Sequence, residues 1–182
     1  TAPTMAITSS TVSSGASTNT AAIALTFTSS EATTNFASED ITVSGCSLGS
    51  TFAASSSTVY TATCTASSDG AISVQVGADG FSDGVGNTNS AASNTYSWTY
   101  DGTAPTMTIQ AAEVSDGGTS NDATLSMTFT SSEATTNFGV SDITATGGSL
   151  TNFNAVSSTV YTAVFTPTAD GATTINVVAG GF

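Results

Sequence analysis

The chain carries one sequence twice. Thr1-Ala2-Pro3-Thr4-Met5-Ala6-Ile7 returns as Thr103-Ala104-Pro105-Thr106-Met107-Thr108-Ile109. The octapeptide Ser29-Ser30-Glu31-Ala32-Thr33-Thr34-Asn35-Phe36 returns unchanged from Ser131 to Phe138 at the same offset. Ser57-Thr58-Val59-Tyr60-Thr61-Ala62 returns as Ser158 to Ala163 at an offset one shorter, so one residue has been lost between the blocks, in a Ser-rich turn. A unit of roughly a hundred residues is one small domain, and two copies this alike imply a longer array. Whatever the copies do, each must fold within that length.

The composition excludes more chemistry than it offers. There is no Lys, Arg or His, and thirteen Asp and Glu give a formal charge of −13. General base chemistry near neutral pH would rest on carboxylates or a thiolate alone. A Ser-His-Asp triad, a Schiff base, an arginine phosphate clamp and a Lys–Asn isopeptide crosslink cannot be built. Nucleic acid is excluded as a partner because its affinity comes from cations neutralising phosphate, and an anionic membrane would repel the chain. Only 7% of residues are charged, yet 38% are hydrophobic, so the chain is not of the disordered type. Ser and Thr, roughly a third of the residues, supply the hydration and are open to O-linked glycans; no N-x-Ser/Thr sequon occurs. No apolar run approaches the ~20 residues of a membrane span. No signal peptide or starting Met is visible, which suits a processed product or a fragment.

Apolar and polar residues alternate through much of the chain. Ala22–Thr28, with its copy Ala123–Phe129, is a period-two run rich in strand formers. Further strands are predicted at Met5–Thr8, Ile41–Ser44, Ser47–Phe52, Val59–Thr65, Ile72–Val76 and Thr95–Tyr100, separated by Gly, Ser, Asn and Asp clusters. About seven short strands per repeat and no helical period indicate an all-β fold, a tandem of β-sandwiches. The boundary falls at Asp101-Gly102-Thr103-Ala104-Pro105, giving domains at 1–101 and 102–182, with Pro105 suited to the entry of an edge strand. The short linker implies domains held in line. The second copy ends at Gly181-Phe182, which match Gly80-Phe81, so it lacks the last strand. An edge and part of a core would be exposed there. The expectation is that the chain continues beyond Phe182, the alternative that a neighbouring chain donates the strand.

The stretches Leu25–Phe36, Asp40–Gly45, Val59–Thr65, Asp83–Asn87 and Tyr100–Thr106 resemble bacterial Ig-like repeat domains, and the resemblance covers both copies nearly end to end. Such domains occur in tandem in large secreted proteins and adhesins, including biofilm-associated surface proteins. The resemblance implies an Ig-like sandwich, an extracellular or cell-surface location and, in many members, calcium. It implies no enzyme. It implies a structural role, as spacer or fibre building block with neighbouring copies or further repeats as partners; the alternative is an adhesin module binding carbohydrate or another surface ligand. The absence of basic residues sets the chain apart from the family and fits a wall, sheath or filament protein.

Cys46 and Cys64 are the only cysteines. A hairpin turning at Ala54-Ser55-Ser56 and centred on Ser55 sets them opposite each other, at a spacing suited to a disulfide. Two free buried thiols are the alternative; a metal or redox pair would need a CxxC motif or a His. The matching positions of the second copy are Gly148 and Phe165, where an aromatic ring covers a strand glycine. The acidic residues are the candidate metal ligands. Asp83 and Asn87 lie in a loop before the last strand, Asp101 ends that strand, and Glu31 follows the second, with Glu133 its copy. In a family-like fold these loops would converge at one end and offer calcium several oxygens. The alternative is that the acids keep a Ser/Thr surface soluble. Asp40 and Asp142 suit capping or turns, and Asp69 and Asp170 suit bonds to their local backbone. Trp98 is read as core, with carbohydrate stacking as its alternative.

Overall fold

A computed structural model describes the whole chain, Thr1–Phe182. It divides into two compact units, Thr1–Thr103 and Ala104–Phe182. The first unit has strands β1 (Met5–Thr8), β2 (Ser17–Thr18), β3 (Ala22–Ser29), β4 (Ile41–Ser44), β5 (Cys46–Ser47), β6 (Ala53–Ala54), β7 (Val59–Ala66), β8 (Gly70–Val76) and β9 (Tyr96–Tyr100). One sheet runs β1-β3-β7-β5, with β6 also on β7; the other runs β2-β9-β8-β4. Neighbours are antiparallel except β2 and β9, which pair parallel. This partition of strands is that of an Ig-type sandwich. Helix is confined to two 3-10 turns, Ser38–Asp40 and Val140–Asp142. No helix is long and apolar enough to cross a membrane.

The alternation read from the sequence is what builds this core. In a strand, successive side chains point to opposite faces, and β3 and β7 bury every second residue. Ile23, Leu25, Phe27, Tyr60 and Cys64 face inward from one sheet, and Ile72, Val74, Val76 and Trp98 from the other. Trp98 is 2% exposed and stands opposite Ile72 in the sheet. It is a core residue, with no face open for stacking on a sugar.

The second unit repeats one sheet and half of the other. Its strands are β10 (Met107–Ala111), β11 (Leu125–Ser131), β12 (Ile143–Thr146), β13 (Gly148–Ala155), β14 (Val160–Pro167) and β15 (Thr174–Val177). β10-β11-β14-β13 matches the first sheet, and β12 pairs with β15 alone. Met107, Ile109, Leu125, Ile143, Ile175, Val177 and Phe182 are only partly buried, whereas their counterparts Met5, Ile7, Ile23, Ile41, Val74, Val76 and Phe81 are buried. In the first unit β9 completes the cover by bringing Tyr96 and Trp98 over the core; residues 104–182 do not reach the position that would match it.

The predicted strand Ser47–Phe52 does not form. The chain opposite β7 is broken there, and residues 48–52 face only residues 62–64. Thr51 bridges the gap: its hydroxyl accepts the Thr63 N–H at 2.8 Å and donates to Leu48 O at 2.9 Å. In the second unit residues 152–153 face only Ala163, so β13 stays continuous through a bulge. The residue missing from the second copy is therefore lost within this break, not in the Ser-rich turn. The copy of β3 also lies two residues later than predicted, at Leu125–Ser131.

Candidate functional site

The hairpin that carries the cysteines turns later than the sequence implied. Ala54 pairs with Tyr60, so the turn is Ser55–Thr58, and Ser56 Oγ accepts the N–H groups of Thr58 (3.2 Å) and Val59 (3.0 Å). Cys46 then faces Ala66, and Cys64 lies diagonally across from it rather than opposite. The two are still joined, with Cα atoms 5.7 Å apart. A diagonal pair within two strands remains in reach of a disulfide. The second unit closes the same diagonal with a ring. Gly148 faces Pro167, and a Cβ on Gly148 would overlap the Phe165 ring.

In the octapeptide common to both copies, four of the eight side chains of the first unit, Ser30, Thr33, Asn35 and Phe36, have structural partners. Ser30 Oγ accepts the Thr4 N–H at 2.9 Å, and Ser132 does the same for Thr106. The hydroxyls of Thr33 and Tyr60 are bonded at 2.5 Å, and those of Thr135 and Tyr161 at 2.6 Å. Asn35 Oδ1 accepts the Ser82 N–H at 2.8 Å. Phe36 packs against Phe27, Phe52, Tyr60 and Phe81, and Phe138 against the matching four rings. Alternation alone does not reveal the Thr–Tyr pair, whose members are buried and lie 27 residues apart in the first unit. Tyr60→Phe leaves the buried Thr33 hydroxyl without this partner, and loss of about 1–3 kcal/mol is expected in urea unfolding. Tyr161→Phe should cost the second unit a similar amount.

Of the acidic residues, Asp83 is the most enclosed, at 6% exposed. Its Oδ1 accepts the N–H groups of Val85 (2.9 Å) and Asn87 (2.8 Å), and its Oδ2 accepts the Asn87 side-chain amide at 2.7 Å. The Asn87 side chain, then the Asn87 backbone N–H, holds the carboxyl below its ordinary range. Asp83 and Asn87 thus satisfy each other across their own loop. Because the folded pKa is depressed, this contribution is present above an unfolded pKa of about 3.9 and is lost as pH falls through the lower folded value. An acid titration followed at the Val85 and Asn87 amides should show its midpoint below about 3.9; a midpoint at or above it would contradict the bonding described.

Of the other acidic candidates, Glu31 alone lies at the same end of the first unit as Asp83. An isolated bridge between Thr33 and Asp83 sets the Glu31 loop and the Asp83 loop at the end of the unit where β1 enters. Asp101 follows β9, whose last residue Tyr100 pairs with Gly70 at the start of β8, so it lies at the opposite end. Glu133 belongs to the second unit. No three acidic or cysteine side chains are grouped to hold a metal ion. Asp40 and Asp142 take the turn role: each carboxylate accepts the N–H three residues back, from Ala37 at 2.9 Å and Gly139 at 2.8 Å. Asp69 does not bond its local backbone. It accepts the Gly102 N–H at 2.7 Å and the Thr103 hydroxyl, beyond β9.

A groove runs over β10, β11 and β15 of the second unit, along Ile109, Leu125, Met127, Phe165 and Ile175. It lies on the partly buried core residues described above, and Asp116, Asp122 and Asp170 also line it. The bacterial Ig-like domain model matches the chain twice, over residues 1–100 and 101–182. The chain belongs to the bacterial Ig-like domain family. No curated protein sequence matches it. Domains of this family are typically non-enzymatic structural modules. Two further structural residues of this Ig-like pair escaped the sequence reading. Asn94 pairs with the Ile7 backbone as a strand would, accepting its N–H at 2.8 Å and donating to its carbonyl at 3.1 Å. Asn89, fully buried, accepts the Phe81 N–H at 3.0 Å and donates to Gly77 O at 2.7 Å. Their only sequence signal was an Asn in a Gly/Ser-rich stretch, which a turn explains equally well.

Proposed function

We propose that the chain is a stretch of an extracellular surface or filament protein in which each Ig-like unit is a spacer or fibre building block, as in adhesins of the biofilm-associated type. One observation carries this reading: within the octapeptide repeated unchanged, Ser30, Thr33 and Phe36 make the same fold contacts as Ser132, Thr135 and Phe138. Selection for a ligand would keep side chains facing outward, whereas selection for a module keeps the contacts that close it. A Ser/Thr surface hydrates such a module without ion pairs, and the absence of Lys and Arg leaves no site for trypsin-like proteases. The disulfide fits an oxidising location outside the cell.

Stretching single molecules from their ends tests the reading. The first unit should yield in one discrete event. Cys46 and Cys64 are 18 residues apart, so reduction should lengthen that event by about 60–65 Å at ~3.3–3.6 Å per residue. Smooth extension at low force, with no discrete event, would count against a structural module. Saturable binding of a defined glycan would favour the adhesin module instead.

A further inference from the structure

We propose that the Cys46–Cys64 bond makes one edge of the first unit redox-sensitive. Reduction by a small dithiol releases residues 46–51 from β7 as a local unit and uncovers part of its outer backbone, while the rest of the sandwich stays folded. The inference goes beyond the functional reading, since it holds for a spacer and for a fibre building block alike.

The backbone hold on this segment is thin. β5 contributes two pairs, Cys46 with Ala66 and Ser47 with Thr65, and the next pair along β7 is Ala53 with Thr61. Between them the Thr63 N–H and carbonyl both meet the hydroxyl of the exposed Thr51, at 2.8 and 3.4 Å. The second unit has backbone there instead: Thr151 pairs with Val164, the residue matching Thr63, within a continuous β13. It does so without cysteines, since Gly148 and Phe165 stand at the matching positions. The copy without the bond keeps the ladder, and the copy with the broken ladder has the bond. The covalent link thus substitutes for the pairing that the break at 48–52 removes.

Anchors on both sides confine the release. Before the segment, Gly45 O accepts the Ser67 N–H and hydroxyl, both at 3.1 Å, and the second unit repeats this hold at Gly147 and Thr168 with no disulfide beside it. After it, Phe52 stacks on Tyr60, and Ser56 holds the hairpin turn. Within 46–51 only Cys46 and Leu48 pack apolar atoms on the core, and both are partly buried. Cys64 is fully buried, so an attacking thiolate meets the half-buried Cys46. Its sulfur bonds to Cys46 Sγ as the Cys46–Cys64 bond breaks, and Cys64 leaves as a thiolate that takes up a proton. The second thiol of the reagent passes its proton to Cys46 as it displaces it, so two protein thiols remain and the dithiol departs as a cyclic disulfide. The outer backbone of Thr63 and Thr65 is then unpaired, and an unpaired edge is where a strand of another chain adds.

Backbone ¹⁵N relaxation and amide exchange on the two-unit chain, oxidised and then reduced with dithiothreitol, test the proposal. Cys46→Ala combined with Cys64→Ala gives a second form without the bond and without reductant. In the oxidised chain Cys46 and Ser47 should show order parameters near ~0.85. In both forms without the bond, residues 46 and 47 should fall below ~0.6, while β3, β8 and β9 stay near ~0.85. The Thr63 and Thr65 amides should then exchange faster, at a rate that low urea does not change, because a local opening exposes little surface. Residues 148–151 of the second unit should not respond to reductant. Unfolding of the whole first unit on reduction, unchanged order parameters at residues 46 and 47, or Thr63 exchange that rises with urea as the core amides do, would overturn the proposal.

Discussion

Replacing Cys46 and Cys64 together with alanine should lower the stability of the first unit by about 3 kcal/mol, the chain-entropy value for a loop of this size. The bond closes a separation of 18 residues. For a domain of this length, 3 kcal/mol corresponds to roughly 12–24 °C in melting temperature. Cys64 is fully buried, so alanine rather than serine avoids adding a buried hydroxyl. The second unit, where Phe165 covers Gly148, should melt unchanged in the same molecule. Calorimetry with and without a reductant gives the same comparison without mutation. A shift of less than about 1 kcal/mol would contradict the chain-entropy account of this bond.

Phe36→Ala should cost more, about 3–5 kcal/mol. The ring meets Phe27, Phe52, Tyr60 and Phe81 with centroids 6.0, 5.6, 4.9 and 5.4 Å away, mostly edge to face. Edge-to-face pairs add to the burial itself. Phe138 has the same four contacts in the second unit, at 5.9, 5.7, 4.9 and 5.4 Å. Phe138→Ala should therefore cost the second unit about 3–5 kcal/mol as well. Urea unfolding of the two variants reads both losses.

The architecture was legible because period-two alternation survives in long strands. β1 and β4 fall where the pattern put them, and β7, β8 and β9 differ by a residue or two at their ends. What failed were features set by partners elsewhere in the chain. Ser55-Ser56-Ser57-Thr58 offers several equivalent turns, and the choice is made by Ser56 Oγ and by Phe52 stacking on Tyr60. That choice displaced the cysteines from opposite to diagonal, yet the bond survived because diagonal neighbours are also within reach. The broken strand at 48–52 was invisible because Leu48 and Phe52 still pack on the core while Thr51 replaces the missing backbone pairing. Asp69 resembled any Asp-Gly turn, and its partners lie more than thirty residues away. The acidic residues were read by loop proximity, which grouped Asp101 with Asp83, although strand direction separates them to opposite ends.

The central claim is that the repeated residues hold the fold rather than a ligand. Titrating ¹⁵N-labelled chain with calcium and with a panel of bacterial and host glycans, and recording amide spectra, tests it most directly. The expected result is no saturable shift at Glu31–Asn35, at Asp83–Asn87 or at Glu133–Asn137. A saturable shift centred on any of these segments, with one stoichiometric site per unit, would contradict it.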